Sequence, residues 1–238
     1  MLNIKNWDNK TWISSNKYIK SFNNFLLRQK KLNKDSKILD IGCGRGKIIG
    51  SLSTKLKLKK KPIGLDIENH KDKDKRIIFK KISALKYLEK SKKKFDLILI
   101  KQTIHFFSLK DIKRILSYSH SCLEVGGVIL ILNLDTKNNE IPTFLLMKEK
   151  LNKSFKKDVI IWKSILKLNI KKNITKFNFK VNVKKSIYLK MIKQRYISTL
   201  LNFTSVQILD GINEIKQRYK KNIIFKDKLN CIILKKNK

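Results

Sequence analysis

The stretch Lys37-Ile38-Leu39-Asp40-Ile41-Gly42-Cys43-Gly44-Arg45-Gly46 decides the fold. Its first half is an apolar run that reads as a buried strand, and residues 45–58 follow with a helical pattern. Between them stand three of the chain's eight glycines, where a random window of five residues would hold about 0.2. Glycines at a strand-to-helix turn let the backbone bend tightly and approach a ligand closely. The dinucleotide pattern Gly-x-Gly-x-x-Gly fails in both registers, because Lys47 and Ile49 occupy the sixth positions counted from Gly42 and Gly44. A Gly-Lys-Ser/Thr phosphate loop is absent as well. Asp40, two residues ahead of the first glycine, would repel a pyrophosphate and suits a ligand bearing an ammonium and a sulfonium. Asp66 lies 20 residues beyond Gly46, a spacing that suits a carboxylate accepting both hydroxyls of a ribose, and Ile67 after it suits the face of an adenine. A nucleoside with a cationic tail fits these features better than NAD.

Strands and helices alternate outward from this loop. Pro62-Ile63-Gly64-Leu65-Asp66-Ile67 reads as a second strand and Arg76-Ile77-Ile78-Phe79 as a third, with a helix through Leu85, Tyr87 and Leu88. Phe95-Asp96-Leu97-Ile98-Leu99-Ile100 is a fourth strand, residues 109–123 a helix, and Gly127-Val128-Ile129-Leu130-Ile131-Leu132 a fifth strand. Continuous Ile/Leu strands alternating with helices signify a parallel sheet covered on both faces. Helices are expected around 143–156, 158–168, 186–201 and 204–220, with strands at 174–183 and 222–234. The expected organisation is one domain over 1–238: a lead-in helix within 1–35, a ligand-binding core over 36–132, then cap helices and antiparallel strands over 133–238. No period of 20 to 50 residues suggests a solenoid.

These residues resemble the class I S-adenosylmethionine-dependent methyltransferases. The likeness is carried by the glycine motif Asp40–Gly46, the acid Asp66, the Phe95-Asp96 opening of the fourth strand and the Gly126-Gly127 turn before the fifth. The resemblance implies a three-layer, doubly wound, mostly parallel seven-stranded sheet with a helical cap, and S-adenosyl-L-methionine as cofactor. It implies that Asp40, Gly42, Cys43 and Gly44 hold the methionyl part, and that Asp66 and Ile67 take the ribose and adenine. Ser83 and Ala84 would lie at the adenine edge, and Lys101 would offer its backbone. Many members have an Asp where Ser83 stands, so the resemblance implies that adenine N6 would be held differently here.

Composition bounds the function classes. The chain has 238 residues, with 57 Lys or Arg against 18 Asp or Glu, a formal charge of +39. At 42% hydrophobic and 9% aromatic residues it can bury a full core. The cations are 51 Lys and only 6 Arg, beside 35 Ile, 21 Asn and the single Ala84. That profile reads as AT-biased codon usage; a phosphate-gripping surface would favour Arg, whose planar fork bonds phosphate bidentately. Cys43, Cys122 and Cys231 are too few and too scattered for a disulfide framework or a zinc site, so no metal centre is expected. The apolar runs are too short for a membrane span, and the N-terminal residues show no signal-peptide stretch, so a cytoplasmic protein is expected.

Methyl transfer is an in-line displacement, so much of the catalysis comes from alignment and exclusion of water. A base is needed only for an acceptor that arrives protonated. His105, in Lys101-Gln102-Thr103-Ile104-His105-Phe106-Phe107 after the fourth strand, is the candidate base; the alternative is a half-buried ring packed on Phe106. His70 reads as a loop residue and His120 as a surface one. Arg195 and Tyr196 in the cap, and Tyr18 in the lead-in, are candidates for holding the acceptor; Arg195 otherwise caps carbonyls within the lid. Trp7 and Trp12 join Tyr18 as aromatics that close over the cofactor or simply pack. The expected activity is methyl transfer to oxygen or nitrogen of a small molecule. The rivals are an RNA methyltransferase using the basic surface, with nucleic acid a possible but less favoured partner, and a non-catalytic protein that retains the fold. The Asp/Asn-Pro-Pro-aromatic signature of base amino methylation is absent after the fourth strand.

Overall fold

The structure, a computed structural model, describes residues 11–237; Trp7 falls outside the described residues. A 3-10 turn at Trp12–Ser14 leads into helix α1, Asn16–Gln29, whose first turn is capped by the Ser15 side chain accepting from the Tyr18 N–H. Strand β1 (Ile38–Ile41), α2 (Lys47–Leu56), β2 (Ile63–Asp66), β3 (Ile78–Lys81), α3 (Ala84–Lys90), β4 (Phe95–Lys101), α4 (Leu109–Ser121) and β5 (Leu123–Leu134) follow in alternation. Then come α5 (Leu145–Leu166), β6 (Lys172–Lys184), α6 (Lys185–Lys193), α7 (Ser205–Arg218) and β7 (Asn222–Lys235).

The strands form one seven-stranded sheet in the order β3-β2-β1-β4-β5-β7-β6. β1 to β5 pair in parallel, and β7 runs antiparallel to both β5 and β6. Side-chain alternation along the strands creates the three layers. Ile38, Leu97, Leu99, Val128, Leu130 and Leu132 pack with α1, α2, α6 and α7, whereas Leu39, Ile41, Ile98, Ile100, Ile129 and Ile131 pack with α3, α4 and the end of α5. Both faces are apolar, which is why these strands read as unbroken Ile/Leu runs. The register pairs Leu134 with Leu229, so residues 222–228 of β7 project past the carboxyl end of β5, together with the end of β6. That projection builds a wall beside the glycine loop's end of the sheet.

Two expectations need correction. The helices anticipated at 143–156 and 158–168 are one helix, α5. Lys156, Lys157 and Asp158 interrupt the apolar pattern, yet Asp158 is buried in the same stripe as Leu151, Phe155, Ile161 and Ile165. The helix anticipated over 186–201 stops at Lys193, and a separate 3-10 turn covers Ser198–Leu200. Arg195 has φ +52°, its N–H bonds the Ile192 carbonyl and the Tyr196 N–H bonds the Met191 carbonyl. This is a Schellman ending with arginine in the left-handed position that glycine usually takes.

Candidate active site

β1 ends at Ile41, and the chain turns over the top of β2: the Gly42 and Cys43 N–H groups both donate to the Leu65 carbonyl, at 2.8 and 3.0 Å. Gly42 has φ +71°, and a Cβ there would lie 2.2 Å from Thr103 Oγ1, so any larger residue would both strain the turn and collide with the loop after β4. Gly46, also left-handed, begins α2. Its neighbour Arg45 is buried, with Nε 2.6 Å from Asp72 Oδ1, which anchors the loop to the segment after β2.

Asp66 closes β2 and braces this loop. Its Oδ2 accepts the Gly44 N–H at 2.8 Å, and its Oδ1 accepts the Glu68 N–H at 2.9 Å. Each carboxylate oxygen has a second lone pair, so both can still accept a hydroxyl of a vicinal diol. Ile67 follows with 66% of its surface exposed, an apolar platform beside the carboxylate. Ser83 caps α3 by accepting the Lys86 N–H, and Ala84 is buried under it.

Asp40 and Lys101 lie on the sheet face covered by α1, since Asp40 alternates with Leu39 and Ile41, and Lys101 continues the Leu97–Leu99 row. Burial raises the Asp40 carboxyl to about 7, Lys101 opposes the rise and Asp66 adds to it. The Lys101 ammonium sits 5.4 and 5.5 Å from the ring centres of Tyr18 and Phe22 on α1. It also reaches Gln102 Oε1 at 3.0 Å, while the Lys101 carbonyl accepts the Thr103 hydroxyl at 3.0 Å. The resemblance points to the Lys101 backbone; the structure also lays its side chain against α1.

Asp227, fully buried on the projecting part of β7, was not singled out in the sequence. Trp12 Nε1 donates to its Oδ2 at 3.0 Å. Burial raises its carboxyl, against the Trp12 bond, the Lys101 charge and the Tyr18 hydroxyl. Tyr18 is fully buried, and burial, reinforced by Asp227, lifts its hydroxyl well above the ordinary value. Tyr196 is buried too: its hydroxyl lies 2.8 Å from that of Tyr188, which donates to the Pro142 carbonyl at 2.7 Å. Trp12, Tyr188, Tyr196 and Phe225 pack ring to ring. Trp12, Tyr18 and Tyr196 therefore form an aromatic wall around Asp227. Arg195 bonds the Phe203 carbonyl at 2.9 Å and ends α6, which is its capping alternative.

His105 lies in a 3-10 turn, Ile104–Phe106, after β4, with its ring 4.2 Å from that of Phe106. Burial lowers the imidazole's proton affinity; the Asn133 amide works against this and the Lys157 charge with it. The Lys157 ammonium bonds the His105 carbonyl at 3.0 Å, tying this turn to α5. His70 is in a loop, as expected, but is buried. His120 is only partly exposed. No group of His, Cys, Asp and Glu suited to a metal ion occurs among the described residues, and no helix among them is long and apolar enough to cross a membrane.

Residues 38–127 match a family model described as a methyltransferase domain. No curated protein matches the chain by sequence. Among solved structures, the chain is similar to a protein of Anabaena variabilis described as a candidate methyltransferase from an antibiotic biosynthesis pathway. The TM-score is 0.60 at 15% identity, over 90% of this chain and 96% of that one. A candidate methyltransferase of Bacillus halodurans gives 0.56 at 13% identity, over 92% and 100% of the two chains. The plantazolicin methyltransferase BpumL, solved with a desmethyl analogue of plantazolicin and S-adenosylhomocysteine, gives 0.54 at 16% identity, over 98% and 88%. The match over residues 38–127 and these structural likenesses give the chain the fold of the class I methyltransferases.

Proposed function

We propose that the protein transfers a methyl group from S-adenosylmethionine to an oxygen or nitrogen of a small molecule. The observation that carries this reading is Asp66, whose two oxygens each use one lone pair on a backbone N–H, of Gly44 and of Glu68, and keep one for a ribose hydroxyl. Gly42, Gly44 and Cys43 supply the close backbone approach, Ile67 the adenine platform with Ser83 and Ala84 at its edge, and Asp40 a buried carboxylate for an ammonium. The cofactor supplies an electrophilic methyl on a sulfonium. The chain's own residues orient it, exclude water beneath α1, and accept the acceptor's proton where there is one.

His105 is the proton acceptor in this reading: its lowered proton affinity keeps the imidazole neutral near pH 7, with a lone pair available. Tyr18 and Tyr196 border the acceptor, and Arg195 acts at a distance by fixing the end of α6. The small-molecule class is supported by a charge dominated by Lys rather than Arg. The test is turnover of S-adenosylmethionine against a panel of small hydroxyl and amine acceptors at low and high salt. We expect activity that persists at 0.5 M salt, on the order of 100-fold lower in His105→Gln with unchanged cofactor binding. Activity on RNA alone, falling steeply with salt, would overturn the small-molecule reading.

A further inference from the structure

A groove of about 700 Å³ separates α1 from α2, and Asn23, Lys20, Lys47, Lys55, Asp74 and Arg76 are among the residues that line it. None of these residues belongs to the Gly42–Gly46 loop or is among those proposed to hold the cofactor, although Lys47 follows Gly46 directly and opens α2. Positive charge alone means little on a chain of +39. The informative residue is Asn23. It is 1% exposed, and neither its amide nitrogen nor its amide oxygen has a hydrogen-bond partner. A buried amide without partners costs about 1–3 kcal/mol per group, so its presence on a groove wall points to something outside the chain that satisfies it. Arg76 is matched by Asp74, with Nη2 and Oδ2 2.6 Å apart. Lys20, Lys47 and Lys55 therefore leave the rim with an excess of positive charge. The volume lies within the roughly 300–1,000 Å³ range of small-molecule sites.

We propose that this groove is a second ligand site, distinct from the methyl-transfer site, that takes a small hydroxylated phosphate ester. The Asn23 N–H donates to a phosphate oxygen, its amide oxygen takes a hydroxyl of the ligand, and Lys20 and Lys47 neutralise the phosphate. The same helix presents Tyr18 and Phe22 to Lys101 on its other side, so the occupant rests against the element that covers the proposed cofactor site.

Isothermal titration with ribose 5-phosphate at 0.15 M salt tests this directly. We expect one molecule bound per chain and no binding of ribose. The double variant Lys20→Gln/Lys47→Gln should bind at least tenfold more weakly, and Asn23→Leu, which keeps the helix folded and apolar at that position, should lose binding. The surface variant Lys92→Gln/Lys93→Gln/Lys94→Gln and the Asp66→Ala variant should bind as the parent does; the latter separates this site from the fate of the cofactor reading. Equal loss in the surface variant, or unchanged binding in Asn23→Leu, would overturn the proposal. An RNA oligonucleotide that binds more tightly than ribose 5-phosphate and is weakened by the same groove variants would overturn the small-ligand class.

Discussion

Asp40 is the residue whose chemistry runs against habit. A carboxylate that gains partners on folding usually titrates low, but burial raises this one to about 7, well above its ordinary 3.8. The folded chain therefore holds more protons than the unfolded one between about pH 4 and 7, and Asp40 makes the empty protein less stable as pH rises through that window. An ammonium placed beside it reverses the preference, because it stabilises the ionised form. Binding of S-adenosylhomocysteine, which carries such an ammonium, should be roughly tenfold weaker at pH 6 than at pH 8. Asp40→Asn should weaken binding at pH 8 and flatten the profile. Titrations at the two pH values check this, and a steep profile surviving in Asp40→Asn would place the titrating group elsewhere.

Helix α5 shows what sequence periodicity conceals. The buried stripe from Leu151 to Ile165 includes Asp158, whose Oδ1 has no hydrogen-bond partner. Burial raises its carboxyl to about 6, against the pull of Lys157. Its ionisation costs stability progressively from about pH 4 to 6, and the full cost applies above that. Asp158→Asn should therefore be more stable than the parent by about 2 kcal/mol at pH 8, with the gain vanishing near pH 4. Denaturant unfolding at both values checks it, and a gain of equal size at both would show that charge is not the cause. The polar Lys156-Lys157-Asp158 run reads as a helix boundary for the same reason that Asp158 is costly: it puts a charged group where the period requires an apolar one. Helix ends were obscured by composition. Lys57 and Arg195 adopt left-handed φ of 51° and 52° and end α2 and α6, positions where a glycine would have been the signal. A chain with eight glycines in 238 residues spends few of them on caps.

Across the whole molecule, the alternation of strands and helices and the loop from Asp40 to Gly46 are legible because local signals agree there, a buried strand, clustered glycines and an acid at fixed spacing, while the three layers follow from the family resemblance. The surroundings of Asp227 are not legible. Asp227 pairs with Trp12 from 215 residues away, and it comes near Lys101 only because β7 projects past β5. No short-range pattern announces such a meeting. Tyr18 and Tyr196 were found as aromatics, but the carboxylate they surround was not. Arg195 reads as either an acceptor contact or a cap of lid carbonyls, and its bond to the Phe203 carbonyl and its left-handed backbone fit the cap.

The central claim is that the Gly42–Gly46 loop, together with Asp66, binds an adenosyl amino acid. Thermal unfolding of the protein with S-adenosylhomocysteine, with S-adenosylmethionine or with NAD, beside Asp66→Ala, tests it most directly. Either adenosyl ligand at 100 times its dissociation constant should stabilise the protein by about 2.7 kcal/mol. NAD should leave the midpoint unchanged, and Asp66→Ala should fold yet lose most of the shift. An unchanged midpoint with both adenosyl ligands, or an equal shift in folded Asp66→Ala, would contradict the account.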